Sequence, residues 1–423
     1  MPLLIPRIVW LTMFISLAAK ILVVGWTQDL ELILDESDYV DHAQYLLANG
    51  YLPDAFRPPV YPLFVALCQF VGGDTATPVR VGQALLSSAA GLVLYRWLRT
   101  HVGHSGAFLS SALWFLYPTF VGYTHLLWSE SVFLSLLICF FAISLTRNEL
   151  SLRRTGWAAF VFGLAALTRS VLLPLLPLAT IFVLLHTTRW AWRSQPIQRF
   201  ALFVGIVSMT VLPWTIHNRV VEGRWILNET TNGYNLWKGN TPWVHPYATE
   251  GPQYPGPIVS IPMYPYEGSG QRLTTFCEQE VQNEPYTLWH VSQCARRLAV
   301  DHIIDDPLVF LARGPKKLGV AFHPSNLLQR HMWLGHYGDL STRLQQIIVW
   351  GTTLPYFGLL AVMVVAIRKI PRTPISAALG LIAIYQLAVI FITFGNTRFR
   401  LPVMLVGIIY AAWLPKRSIG TDS

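Results

Sequence analysis

The residues best suited to chemistry in this chain are carboxylates and guanidiniums that fall where apolar segments end. Asp35-Glu36-Ser37-Asp38-Tyr39 follows the first long apolar run and sets a knot of acids at a membrane surface. If a helix begins near Ser37, its N-terminal dipole favours an ionised Asp35, suited to accepting a proton or fixing a cation rather than donating. Asp35 or Ser37 could equally cap that helix, but a cap does not account for the whole cluster. Glu130, in Leu127-Trp128-Ser129-Glu130-Ser131, is a second carboxylate at the outer mouth of an apolar segment. A charge beside a span is costly enough that function is the default reading, with snorkelling to the interface as the alternative.

Arginines supply the complementary charge. Arg57 opens Arg57-Pro58-Pro59-Val60-Tyr61-Pro62, Arg169 lies in Leu167-Thr168-Arg169-Ser170, and Arg398 and Arg400 lie in Asn396-Thr397-Arg398-Phe399-Arg400-Leu401-Pro402. A guanidinium fork matches phosphate oxygens in pairs, so outer arginines facing outer acids suggest a phosphorylated lipid with a reacting hydroxyl nearby. Each arginine could instead pair with Asp35, Glu36 or Glu130, or bind headgroups. A fourth group joins Tyr39 to Asn218, Tyr234, Asn235, Trp237 and Asn240 as candidate substrate contacts. Amides bond sugar hydroxyls and aromatic faces stack on sugar rings, although an ordinary interfacial belt has a similar composition.

The elements that must position these groups are membrane helices. Of 423 residues, 53% are hydrophobic and 13% charged, and about ten runs are long enough to cross a hydrocarbon core of ~30 Å. They fall near 8–26, 78–99, 105–123, 127–146, 155–171, 173–187, 200–217, 345–367, 374–394 and 400–414. Backbone groups in lipid must be satisfied within each segment, and no alternating pattern of a barrel is present, so the fold is an all-α polytopic membrane protein. Arg7 before the first run imitates a secretory signal, but the run is long and no cleavage site ends it, so it reads as an anchor. The run at 59–72 is too short to span and reads as an interfacial or re-entrant helix.

With the N-terminus inside, Arg96 and Arg99, Arg147, Arg153 and Arg154, Arg189, Arg193 and Arg199, Arg368, Lys369 and Arg372, and Lys416 and Arg417 all fall in inner loops. The first outer loop then carries Asp29, Glu31, Asp35, Glu36, Asp38, Asp41 and Asp54 against Arg57 alone, as the positive-inside rule requires. The inner-loop cations account for the formal charge of +9, and no soluble basic face suggests nucleic acid. The chain divides into an N-terminal membrane module, 1–217, with a catalytic first outer loop at 27–77; a large outer loop, 218–343; and C-terminal membrane helices, 344–423. In the large loop, the prolines and aromatics between 242 and 265 predict an irregular lid, residues 270–303 a helix, and Asp306 to Lys317 an amphipathic stretch along the membrane. Cys277 and Cys294 could form a disulfide there, unless one continuous helix holds them apart.

Taken in order, Asp35-Glu36-x-x-Tyr39-x-x-x-Ala43, Arg57-Pro-Pro-x-Tyr-Pro, Ser129-Glu130, Thr168-Arg169, Pro213-Trp214 with Asn218-Arg219, Gly233-Tyr234-Asn235-Leu236-Trp237 with Gly239-Asn240, and Arg398-x-Arg400-x-x-Pro402 resemble the GT-C glycosyltransferases. The nearest group is the family 39 protein O-mannosyltransferases and aminoarabinose transferases, with coverage from about residue 5 to 415. The chain is shorter than the protein mannosyltransferases and lacks their appended soluble domain, which leaves the acceptor open.

The resemblance implies a GT-C bundle with interfacial helices in the first outer loop. It places Asp35 at the family's catalytic carboxylate, with Glu36 beside it and Glu130 at the second acidic position. Arg57 takes the basic position before the double proline, toward the donor phosphate, with Arg169, Arg398 and Arg400 as further contacts. The activity expected is transfer of a monosaccharide from a polyprenyl-phosphate donor to a hydroxyl on a protein, lipid or glycan, by inversion with Asp35 as base. The setting expected is a bacterial inner membrane with the site facing the periplasm. No cofactor is required by the sequence; Asp35 and Glu130 could take a divalent metal, but no His-rich spacing supports one. A flippase for lipid-linked sugars should show paired repeats or broken helices, and a glycan polymerase or ligase should lack the first-loop acidic pair.

Overall fold

The computed structural model describes residues 5–33, 35–146, 150–176, 195–241 and 287–415, together with 253–254, 261–262, 273 and 276–277. Along the chain, α1 (Arg7–Trp26) leads to the pair α2 (Asp35–Asn49) and α3 (Val60–Gly72), then to α4 (Ala76–Val102) and α5 (His104–Leu116). The expected span at 105–123 is divided, because the ring of Pro118 forces Tyr117 out of helical geometry, to ψ 117°. The remainder forms α6 (Pro118–Gly122). α7 (Glu130–Ser144) and α8 (Leu152–Ala166) follow, the latter capped by the Ser151 hydroxyl on the Arg154 amide. A 3₁₀ turn, Ser170–Leu175, opens the expected span at 173–187, whose remainder lies outside the described residues. Arg147, Arg189, Arg193, Lys416 and Arg417 lie outside them too.

The second half holds α9 (Gln195–Val221), α10 (Thr231–Asn240), α11 (Leu288–Asp305), α12 (Pro307–Ala321), α13 (Leu327–Trp333), α14 (Thr342–Lys369), α15 (Pro374–Ile392) and α16 (Leu401–Ala411). Four helices, α1, α9, α14 and α15, are long and apolar enough to cross a membrane among the described residues, which makes this an integral membrane protein. The other described elements in expected spans are shorter or more polar, so ten full-length crossings are not what these residues show. α3, with 13 residues, reaches only about 20 Å, and it exposes Leu67, Phe70 and Val71 along one face. That agrees with an interfacial helix.

Most of the lid expected at 242–265 lies outside the described residues, but two short strands, Gln253–Tyr254 and Ile261–Pro262, pair antiparallel within it. Within the helix expected at 270–303, Leu273, Phe276 and Cys277 are helical, and a separate helix runs from Leu288 after an extended Thr287. Because no single helix joins them, Cys277 and Cys294 approach to 5.9 Å between Cα atoms and form a disulfide. Trp237 packs against this bridge with Leu273, Ala295 and Ala299. α12 begins with the Asp306 carboxylate capping the Val309 amide, and exposes Leu308 and Leu311.

The bundle is built from neighbours: α1 on α4 and α5, α4 on α7, α7 on α8, and α8 on α9. The last helix, α16, is buried from Leu401 to Ala411 between α5, α14 and α15, as a helix apolar on all sides must be. Two contacts set the site. The Val60 amide bonds the Leu167 carbonyl at 3.1 Å, which draws the Arg57-Pro58-Pro59 segment to the end of α8. The 3₁₀ turn Thr397–Arg400, capped by Asn396, starts α16 and carries Arg398 toward α2.

Candidate active site

Six of the sequence-predicted residues meet at one place. Arg57 Nη2 donates to Asp35 Oδ1 at 2.8 Å and to Asp38 Oδ2 at 2.6 Å. Arg398 Nη1 donates to Asp35 Oδ2 at 2.7 Å, and its Nε lies 3.6 Å from Glu130 Oε1. Arg169 Nη1 donates to the same Glu130 oxygen. The result is an alternating row of three carboxylates and three guanidiniums: Asp38, Arg57, Asp35, Arg398, Glu130, Arg169. Tyr39 adds its ring beneath Arg57, at 5.0 Å, and its hydroxyl to Ser129 Oγ at 3.4 Å.

Local sequence explains how each member is aimed. Asp35 and Asp38 occupy the first turn of α2, one above the other, so a single guanidinium can reach both. The double proline keeps Arg57 off any helix. Trp128 lies 4.9 Å under Arg398, and Phe133 and Phe399 each lie 5.8 Å from Arg169. Aromatic faces flatten and desolvate these forks while leaving their edges for hydrogen bonds. Those edges are not all used: Arg57 Nε and Arg398 Nε are buried with no hydrogen-bond partner among the described residues. Burial acts to raise the Asp35 pKa, but Arg398 first and Arg57 second outweigh it and hold the carboxyl well below the usual range.

The row borders a cavity of about 640 Å³. Arg57, Tyr39, Glu130, Arg169 and Arg398 form one wall; Phe133, Leu134, Val171, Leu173, Val389 and Ile392 form an apolar one; and Glu229, Asn232, Asn235 and Arg296 close a third side. Such a space can take an anion joined to an apolar chain on one side and a polar group on the other.

The remaining predicted residues are placed elsewhere. Glu36 is buried, and its oxygens accept from the Leu127 amide at 2.8 Å and the Ile33 amide at 3.1 Å, so it clasps α2 to the segment before α7. Burial raises its pKa even so. Arg400 donates to the carbonyls of Ala321, His323 and Ser325 and lies on Tyr356, fastening the loop after α12. Asn218 holds the turn after α9 through the Ile226 carbonyl at 2.9 Å. Asn240 joins α10 to α15 through the Ile392 carbonyl and accepts from the buried Lys317 ammonium at 2.8 Å. Trp237 is the core of the disulfide-bridged loop, and Tyr234 stacks on it at 5.7 Å. Gly233 and Gly239 in the same motif let α10 close on Ser292 and Thr393, whose carbonyls a Cβ at either position would strike. Asn235 does line the cavity.

Lys238, Glu229 and Asn232 were not among the sequence-predicted site residues, although Asn232 and Lys238 stand in the segment from Thr231 to Asn240 that suggested a sugar surface. Lys238 Nζ sits 4.2 Å over the Tyr234 ring and 5.3 Å over Phe394, and burial followed by the nearby Arg398 brings its pKa down to about 8. Its position between Trp237 and Gly239, inside a motif already singled out, is the signal that could have found it. Among the described residues no three His, Cys, Asp or Glu side chains gather as metal ligands.

Fold and site together define a polytopic membrane protein with an arginine-rich, carboxylate-bearing cavity. Over residues 56–214 the chain matches the family model of the dolichyl-phosphate-mannose-protein mannosyltransferases, in agreement with the resemblance read from the motifs. That stretch includes Arg57, Glu130 and Arg169; Asp35 and Arg398 lie outside it. Two structures of ArnT from Cupriavidus metallidurans are similar to the chain. One, bound to undecaprenyl phosphate, shares 13% identity over 96% of this chain and 77% of that one, with a TM-score of 0.45. The other, in the apo state, shares 14% identity over 95% and 77%, with a TM-score of 0.43. No curated protein matches the chain.

Proposed function

We propose that the protein is a glycosyltransferase that moves a monosaccharide from a polyprenyl-phosphate donor to an acceptor hydroxyl at this cavity, with inversion. The observation that carries the reading is the pair of buried Nε–H groups of Arg57 and Arg398, neither of which makes a hydrogen bond among the described residues, beside the Asp35 carboxylate that both arginines hold. Buried donors without acceptors are costly, and a phosphate supplies anionic oxygens that accept from a guanidinium edge in pairs. The match over residues 56–214 to enzymes described as using dolichyl phosphate mannose supports the same donor class.

On this reading the donor phosphate takes Arg57, Arg169 and Arg398, and the prenyl chain follows the apolar wall. The guanidiniums stabilise the charge that develops on the phosphate as the bond to the anomeric carbon breaks. Asp35 accepts the proton of the attacking hydroxyl from the opposite face. Held by two arginines it is a weak base; a phosphate that shares those arginines loosens the hold, so the base strengthens as the donor binds. The site faces the outer side of the membrane, the periplasm in a bacterial cell.

The test is donor turnover by purified protein in nanodiscs, supplied with a panel of undecaprenyl-phosphate monosaccharides. Release of undecaprenyl phosphate from one of them, lost in both Arg57→Ala and Arg398→Ala, is the result expected. Turnover of none, or turnover indifferent to both substitutions, would refute the reading.

A further inference from the structure

The cavity holds a polar group that phosphate binding and proton abstraction leave unused. Arg169 is extended, at φ −147° and ψ 118°, so its side chain and that of Ser170 point to opposite sides. Arg169 turns to Glu130, while the Ser170 hydroxyl donates to Glu229 Oε1, with Asn232 Oδ1 3.1 Å away. Glu229, Ser170 and Asn232 all line the cavity.

The backbone that presents Glu229 is pinned on both sides. Asn228 Nδ2 bonds the Ala166 carbonyl at 2.8 Å, the Asn228 carbonyl accepts from Trp214 Nε1 at 2.5 Å, and the Thr230 amide bonds the Ala55 carbonyl at 2.9 Å. No ion pair engages Glu229 among the described residues, although Glu130 in the same lining has two. A half-buried carboxylate on a fixed backbone, aligned by a hydroxyl and flanked by an amide, is built to accept hydrogen bonds from hydroxyls.

We propose that Glu229, Ser170 and Asn232 form a subsite for the hydroxyls of the donor sugar ring, and so select the monosaccharide. The inference rests on the donor reading above: the arginine row binds the phosphate common to all such donors, and this group reads the part that differs. Sites that hydrogen-bond a substrate hydroxyl discriminate strongly, because an analogue without it leaves their polar groups unpaired.

The experiment measures binding of two probes, undecaprenyl phosphate and a set of undecaprenyl-phosphate monosaccharides differing in one hydroxyl, to full-length protein in nanodiscs. For Glu229→Gln the affinity for the preferred sugar-bearing lipid should fall roughly tenfold or more, with undecaprenyl phosphate changed less than about twofold. Ser170→Ala should give a smaller loss of the same selectivity, and serves as the second variant if Glu229→Gln proves unstable. Equal losses for both probes, or no loss for either, would overturn the subsite while leaving the donor reading intact. If the wild-type protein binds neither probe, the donor reading fails and the subsite with it.

Discussion

Asp35 and Arg398 stand 363 residues apart and are joined by an Nη1–Oδ2 bond of 2.7 Å. The bond closes the segment between α1 and α4 onto the turn that begins the last buried helix. It therefore couples the placement of the proposed base to the packing of α16.

Arg398→Lys tests whether the fork or only its charge matters. A lysine retains the positive charge but cannot reach Asp35 with one nitrogen while a second lies near Glu130. Transfer should fall by about 10²-fold, in line with the loss of one preorganised donor at a site of developing charge. Steady-state kcat/KM with a turned-over donor checks this; near-normal values would show that a point charge suffices.

Glu130→Gln removes the charge that two guanidiniums share in a nearly enclosed position, with 4% of the side chain accessible. Leaving buried charge uncompensated costs about 3–5 kcal/mol. The expected result is a clear fall in the thermal midpoint of the detergent-solubilised protein, largely absent in Glu229→Gln.

His42 fastens the helix that carries Asp35, bonding Asp54 at 2.9 Å through Nε2 and the Asp38 carbonyl at 2.6 Å through Nδ1. Burial works against its charge, but the Asp54 hydrogen bond and charge prevail and raise its pKa; Asp54, despite its own burial, is lowered by His42. A raised histidine contributes stability in full below its unfolded pKa of about 6.5 and loses it as pH rises through the folded value. The lowered Asp54 contributes above its unfolded pKa and loses this as pH falls through its folded one. Proteolysis within residues 35–58 should therefore accelerate as pH rises past the raised imidazole pKa. His42→Gln should flatten that dependence.

The Cys277–Cys294 bridge closes a loop with a sequence separation of 17, for which the chain-entropy model gives about 3 kcal/mol. Cys277→Ser should loosen the packing around Trp237 and speed protease cleavage between α10 and α11. The membrane helices should be unaffected, so a protein lost from the membrane altogether would contradict this local role.

Much of the candidate site was legible because charge at the end of an apolar run is rare and costly. Asp35, Arg57, Glu130, Arg169 and Arg398 were picked out on that ground, and they join in one row of ion pairs, of which all but Asp35 line the cavity. What the chain did not disclose was direction. Glu36 is one residue beyond Asp35, but successive helical residues point about 100° apart, and that rotation turns it from the arginines to the Leu127 amide. Arg400 is two residues beyond Arg398 in a 3₁₀ turn, where each step is about 120°, and it meets carbonyls instead of acids. Asn218, Asn240 and Trp237 have the residue types of a sugar surface, but the same amides and indoles satisfy the carbonyls and fill the core of a loop-rich region. Glu229 was missed because its only signal is a contact with Ser170, 59 residues away.

The most direct test of the central claim is single-turnover transfer by Asp35→Asn. The substitution keeps the side chain's size while removing the proton acceptor. The account predicts that undecaprenyl phosphate still binds and that sugar transfer slows by 10² or more, the range of a lost general base. A full wild-type transfer rate in Asp35→Asn would contradict it.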